Sequence, residues 1–138
     1  MRRTLYNSAC ILLILTFGIN ALAMHYGWYP RIHGFDKLMH TLGGAASAIL
    51  LAAFFTKKLF SKAPRSIFWN IVFAALLIGI GWEVFEYIVQ FLIKGANLAN
   101  PLDSLGDVFF DVIGAMFGAH FVLSIKKRYT TTNDSSRK

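Results

Sequence analysis

Six carboxylates and one imidazole stand at spacings that could assemble a polar centre: Asp36 with His40, Glu83 with Glu86, and Asp103, Asp107 and Asp111. Asp36 and His40 are four apart, as are Asp107 and Asp111, and Glu83 and Glu86 are three apart, so on a helix each pair shares a face. Gln90 continues the face of Glu83 and Glu86, and Lys37 adjoins Asp36. Carboxylate oxygens joined by one His suit a hard or borderline divalent cation such as Mg, Mn or Zn. The same groups could instead share protons, because crowded carboxylates do not all ionise. The candidate ligands are therefore Asp36, His40, Glu83, Glu86, Asp107 and Asp111, with Asp103, Gln90 and Lys37 as additional members.

Simpler roles compete for the same residues. Asp36 and Asp103 each suit a helix N-cap. Asp107 suits a first helical turn, where the helix dipole favours a negative charge, and Lys37 could neutralise one carboxylate. Glu83 and Glu86 lie about 10–15 Å from the end of their apolar segment, so they belong either to a ligand site or to a polar network that glues helices together. His120 points away from Asp107 and Asp111 by helical phase. His25 and His33 read as interfacial or loop residues, and Asn20 and Asn70 as helix–helix hydrogen-bonding groups.

The elements that must position these groups are apolar. The chain of 138 residues is 56% hydrophobic and 15% charged, with a mean hydropathy of +0.52. Soluble domains carry about 25% charged residues, so this chain lacks the polar surface to cover a water-soluble globule. Four apolar runs, at residues 9–28, 38–56, 67–93 and 107–125, are each about long enough to cross ~30 Å of hydrocarbon. The expected fold is an all-α integral membrane bundle of about four transmembrane helices, forming one domain over residues 1–128, with a disordered polar tail over 129–138. Arg2 and Arg3 before an apolar stretch ending in Ala21-Leu22-Ala23 also fit a cleavable secretory signal, although the run has the length of a retained helix.

Net charge is +7, but the basic residues flank apolar runs rather than forming a nucleic-acid stripe, so no nucleic-acid partner is expected. Eleven of the fourteen Lys and Arg fall on one side of the expected topology, and only Arg31, Lys37 and Lys94 fall on the other. The positive-inside bias then places both termini in the cytoplasm. All six carboxylates map to the opposite half of the membrane, where an ionised group at mid-helix costs about 2.5–3.5 kcal/mol. The basic clusters at the terminal end would attract anionic lipid at about 1 kcal/mol per residue without any specific partner. Gly43, Gly44 and Ser47 below His40, and Gly114 and Gly118 below Asp111, would let helices approach closely. The single cysteine, Cys10, excludes an intrachain disulfide.

The stretch Asp36-Lys37-Leu38-Met39-His40 followed by Gly43-Gly44 resembles the D-K-x-x-H opening of the VanZ-like family of small bacterial integral membrane proteins. Gly81-Trp82-Glu83-Val84-Phe85-Glu86, then Asp103-Ser104-Leu105-Gly106-Asp107, then Asp111 and Gly114, are similar to later blocks of its YjdF-type branch. The resemblance spans roughly residues 35–120. It implies a multi-pass protein of the bacterial cell envelope, in the inner membrane, and brings no catalytic residues with it.

Three functions follow from these readings. One is a binding protein or accessory subunit whose outer polar site holds a divalent cation or a polar envelope ligand. Another is a metal-dependent hydrolase or transferase acting on lipid-linked phosphate at the outer leaflet. The third is a proton- or cation-coupled carrier, which four helices without an internal repeat would support only as a homo-oligomer. Gly-x-Ser-x-Gly and His-Glu-x-x-His elements are absent from the sequence, so whether the chain is an enzyme stays open at this level.

Overall fold

The computed structural model describes residues 1–94 and 100–135. These form α1 (Arg2–Tyr26), α2 (Trp28–Arg31), α3 (Phe35–Phe54), α4 (Thr56–Phe60), α5 (Pro64–Lys94) and α6 (Pro101–Ser135), with no strand among the described residues. α1, α3, α5 and α6 are each long and apolar enough to cross a membrane. The all-α four-helix membrane bundle expected from the sequence is therefore the observed fold. α2 and α4 are short connectors absent from the sequence reading.

The helix ends differ from those read off hydropathy, because backbone geometry sets them. α1 begins at Arg2 and stops at Tyr26 rather than running over 9–28. Gly27 takes the left-handed conformation (φ 66°) and its N–H bonds Ala23 O, a turn that a side chain would strain. Gly34 does the same (φ 75°) immediately before α3. α3 therefore starts at Phe35, three residues earlier than expected, and ends at Phe54. Pro64 and Pro101 open α5 and α6 at the first helical position, where the missing N–H costs nothing. The fourth helix thus covers 101–135, not 107–125. The tail expected to be disordered from residue 129 is helical to Ser135: Thr130 and Thr131 donate their hydroxyls to the carbonyls of Lys126 and Lys127, and Tyr129 pairs with Thr4 of α1 at 2.8 Å. Residues 95–99 of the expected link, and 136–138 with Arg137 and Lys138, lie outside the described residues.

α3 is the hub, packed against α1, α5 and α6, and α6 also packs against α5. The α3–α6 contact is the closest, and glycines make it so. A Cβ on Gly44 would run into the Asp111 backbone carbonyl, and one on Gly114 into the Thr41 carbonyl. A Cβ on Gly118 would come within 2.7 Å of the Ala45 carbonyl oxygen. Gly43, expected to share this role, has open space where its Cβ would be. Small residues continue the seam through Ala48, Ala52, Ala115 and Ala119, all fully buried, as expected where helices associate by close packing in lipid. α1 adds Leu5 and Ala9 to this core, and Ala23 to a second cluster with Phe35 and Met39. Large apolar side chains on the outer faces, such as Ile14, Phe17, Phe73 and Leu92, are exposed, which suits hydrocarbon as the surrounding solvent.

Candidate polar site between α3, α5 and α6

The sequence-predicted residues converge at the end of the bundle away from both termini. His40 is the centre. One helical turn into α3 from Asp36, it is 8% exposed. Its Nδ1 faces Asp111 Oδ2 at 3.3 Å. Its Nε2 faces three further carboxylates, with Asp107 Oδ1 at 3.7 Å, Glu83 Oε1 at 3.8 Å and Asp36 Oδ1 at 3.9 Å. These three separations are too long for direct hydrogen bonds. Asp107 and Asp111 are as buried as the imidazole, at 5% and 6% exposure. Glu86 completes a second triplet with His40 and Glu83.

Lys37 spans the mouth of the cluster. Its Nζ donates to Asp103 Oδ1 and Asp107 Oδ1, each at 2.6 Å. It thus neutralises two carboxylates rather than the one expected. The capping roles considered for the acids do not hold. Gly34 is the N-cap of α3, with Asp36 inside the first turn. Asn100 caps α6 by accepting the Leu102 N–H on its side-chain oxygen at 3.2 Å, which leaves Asp103 in the first turn and Asp107 beyond it. Gln90 lines the cavity above the cluster. His120 packs against the Phe68 ring, away from the site, as its helical phase implied.

Three contributors were missed. Gly79 lies one turn before Glu83 on α5, and a Cβ there would come within 2.6 Å of Asp111 Oδ2, so its absence makes room for that carboxylate. Its spacing of four from Glu83 was the available signal. Ser104 lines the same cavity as Glu83; it stands next to Asp103 in sequence and could have been found there. Tyr29 on α2 had no signal, since only the two left-handed glycine turns carry it over the start of α3. Its hydroxyl donates to Asn20 Oδ1 on α1. Burial, then the charges of Asp36 and Glu86, push its phenol above the usual range, so it remains a protonated donor. Tyr29 and His33 join Asp36, Lys37, Glu86, Tyr87, Gln90 and Ser104 around a cavity of about 840 Å³ that opens from the cluster.

The geometry fits a cation. With the ring proton on Nδ1 toward Asp111, the Nε2 lone pair would face the three other carboxylates, the carboxylate–histidine arrangement found at metal sites. Ligand bonds of about 2.1 Å set two ligand atoms up to ~4.2 Å apart across an ion, so separations of 3.7–3.9 Å leave room for one. Glu83 Oε1 is buried and has no hydrogen-bond partner, which is costly for a carboxylate oxygen unless a proton or cation reaches it.

Fold and site together define a multi-pass helical membrane protein with a buried His/Asp/Glu cluster. The chain belongs to the family described as "Predicted membrane protein (DUF2238)", whose family model matches residues 1–128. No match to the chain was found among curated proteins or among solved structures.

Proposed function

We propose that the chain is a cation-dependent binding protein of the bacterial inner membrane, whose site holds one divalent ion through His40 Nε2, Glu83 and Glu86. Asp36 and Asp107 form the alternative pair on the same imidazole. Asp111 orients the imidazole, and Lys37 holds Asp107 in place. The bound ion would present open coordination positions to a polar envelope ligand entering the cavity under Tyr29 and Gln90. The VanZ-like resemblance supports the envelope setting, and the Lys/Arg bias supports an outward-facing site.

The observation that carries this reading is the unpartnered Glu83 Oε1 facing His40 Nε2 at 3.8 Å. A network serving only to glue helices would close such a gap with a hydrogen bond. Lipid-phosphate hydrolysis is the weaker reading: Lys37 already serves two carboxylates, which leaves it poorly placed to bind phosphate.

The test is metal content and calorimetric titration of detergent-purified, chelator-stripped protein with Mn²⁺, Zn²⁺ and Mg²⁺. One ion per chain is expected for at least one of these metals, with binding lost in His40→Ala and weakened in Glu83→Gln. Folded wild-type protein that binds none of the three, with both variants merely less heat-stable, would assign the cluster to packing instead.

A further inference from the structure

At the opposite end of the bundle, where α4 links α3 to α5, lies a separate cavity of about 230 Å³. It is lined by Lys58 and Lys62 at the α4 end and, one turn or more into α3 and α5, by Leu51, Ile71 and Ala74, with Asn70 between. The charge is one-sided. Every Asp and Glu whose side chain is described lies at the other end, and no described carboxylate pairs with either lysine. Lys126 of α6 donates to the Lys62 carbonyl at 3.2 Å and lies over the Phe60 ring, which pins the α4–α5 corner and adds a third positive charge beside the rim. Asn70 bonds only within its own helix, its Nδ2 donating to Ser66 O, so the helix–helix role expected for it is not the one observed. It remains exposed on a membrane-spanning face, where an amide is costly without a polar partner.

Depth along α5 orders these features. Asn70 lies six residues from Pro64 and Ala74 ten, about 9 and 15 Å along the axis. The cavity therefore runs from cations at headgroup level, past an amide, to an apolar floor at acyl-chain level. Its volume equals about eight waters at ~30 Å³ each, enough for a phosphate, a glycerol unit and the first methylenes.

We infer that this cavity is a binding site for one acidic phospholipid of the leaflet at the terminal end. Lys58 and Lys62 hold the phosphate, Asn70 the glycerol or ester oxygens, and Leu51 and Ala74 the start of one acyl chain. The site is independent of the cation cluster.

Native mass spectrometry of the full chain in neutral detergent, with phosphatidylglycerol or phosphatidylcholine of the same chains, tests it. One phosphatidylglycerol is retained per chain and phosphatidylcholine is not. Retention falls about tenfold in K58Q/K62Q and less than about threefold in K57Q/R65Q, which removes the same charge from outside the cavity. Ala74→Phe, which fills the floor and leaves every charge in place, also abolishes retention. Equal retention of the two lipids, equal losses in the two double variants, or unchanged retention in Ala74→Phe overturns the site. Free glycerol 3-phosphate that displaces the lipid at equal concentration overturns the acyl-chain seat. The lipid preference of the unmutated protein decides the matter even if a variant fails to fold.

Discussion

At the scale of single residues, His40 has one nitrogen committed and one open. Asp111 takes Nδ1 at 3.3 Å and so decides which way Nε2 faces. Asp111→Asn keeps an oxygen for that contact but removes its charge. It should weaken divalent-cation binding about 10–100-fold with little loss of thermal stability, measurable by titration calorimetry beside a melting curve. Lys37 makes the complementary prediction. Its ammonium is the only Lys or Arg group ion-paired to the cluster among the described residues, and Asp107 beneath it is buried. Lys37→Gln should destabilise the chelated protein by about 1–3 kcal/mol, discounted for the partial exposure of the pair. Added Mn²⁺ should recover more stability in this variant than in the wild type. Protons compete with an ion for the same lone pairs, so cation affinity should fall steadily as the pH is lowered. An affinity that rises on acidification would exclude these ligands.

At the scale of elements, the α3–α6 seam sets the depth and rotation of the cluster, and its glycines are not equivalent. Gly44→Ala places a methyl against the Asp111 backbone, which cannot yield without separating the helices. A loss above about 2 kcal/mol is expected. Gly43→Ala meets open space and should be neutral or stabilising by about 0.5–1 kcal/mol through helix propensity. Melting temperatures of the two adjacent variants test the seam directly, and equal shifts would refute it. Gly79→Ala should behave differently again. Its methyl meets the Asp111 carboxylate rather than backbone, so it should disturb cation affinity more than stability.

At the scale of the whole molecule, four spans return the chain to the side on which it began. α1 and α6 confirm this by meeting there, Thr4 against Tyr129. Reporter fusions at residues 1 and 138 should therefore report the same compartment, the cytoplasm by the Lys/Arg bias, while a reporter in the 95–99 segment should report the opposite one. The molecule is thereby polarised, with a carboxylate cluster around one imidazole at one end and a lysine-rimmed cavity at the other.

What the sequence determined by itself is the class of fold, the number of spans and the end at which the acids gather. Hydropathy and charge add up along the chain, so they can be read without knowing which helices touch. The pairings Asp36–His40 and Glu83–Glu86 were legible for the same reason, since a helical face is a local property. The helix ends were less so: Gly27 and Gly34 at positive φ and Pro64 and Pro101 at first positions set them, not apolarity. Only the tertiary structure decided that Asp111 takes Nδ1 of His40 while Asp36, Glu83 and Asp107 surround Nε2, that Lys37 bridges two acids, and that Gly79 and Tyr29 belong to the site. Those facts depend on how far each helix is rotated and shifted against neighbours distant in sequence. Close packing at Gly44, Gly114 and Gly118 sets that rotation and depth.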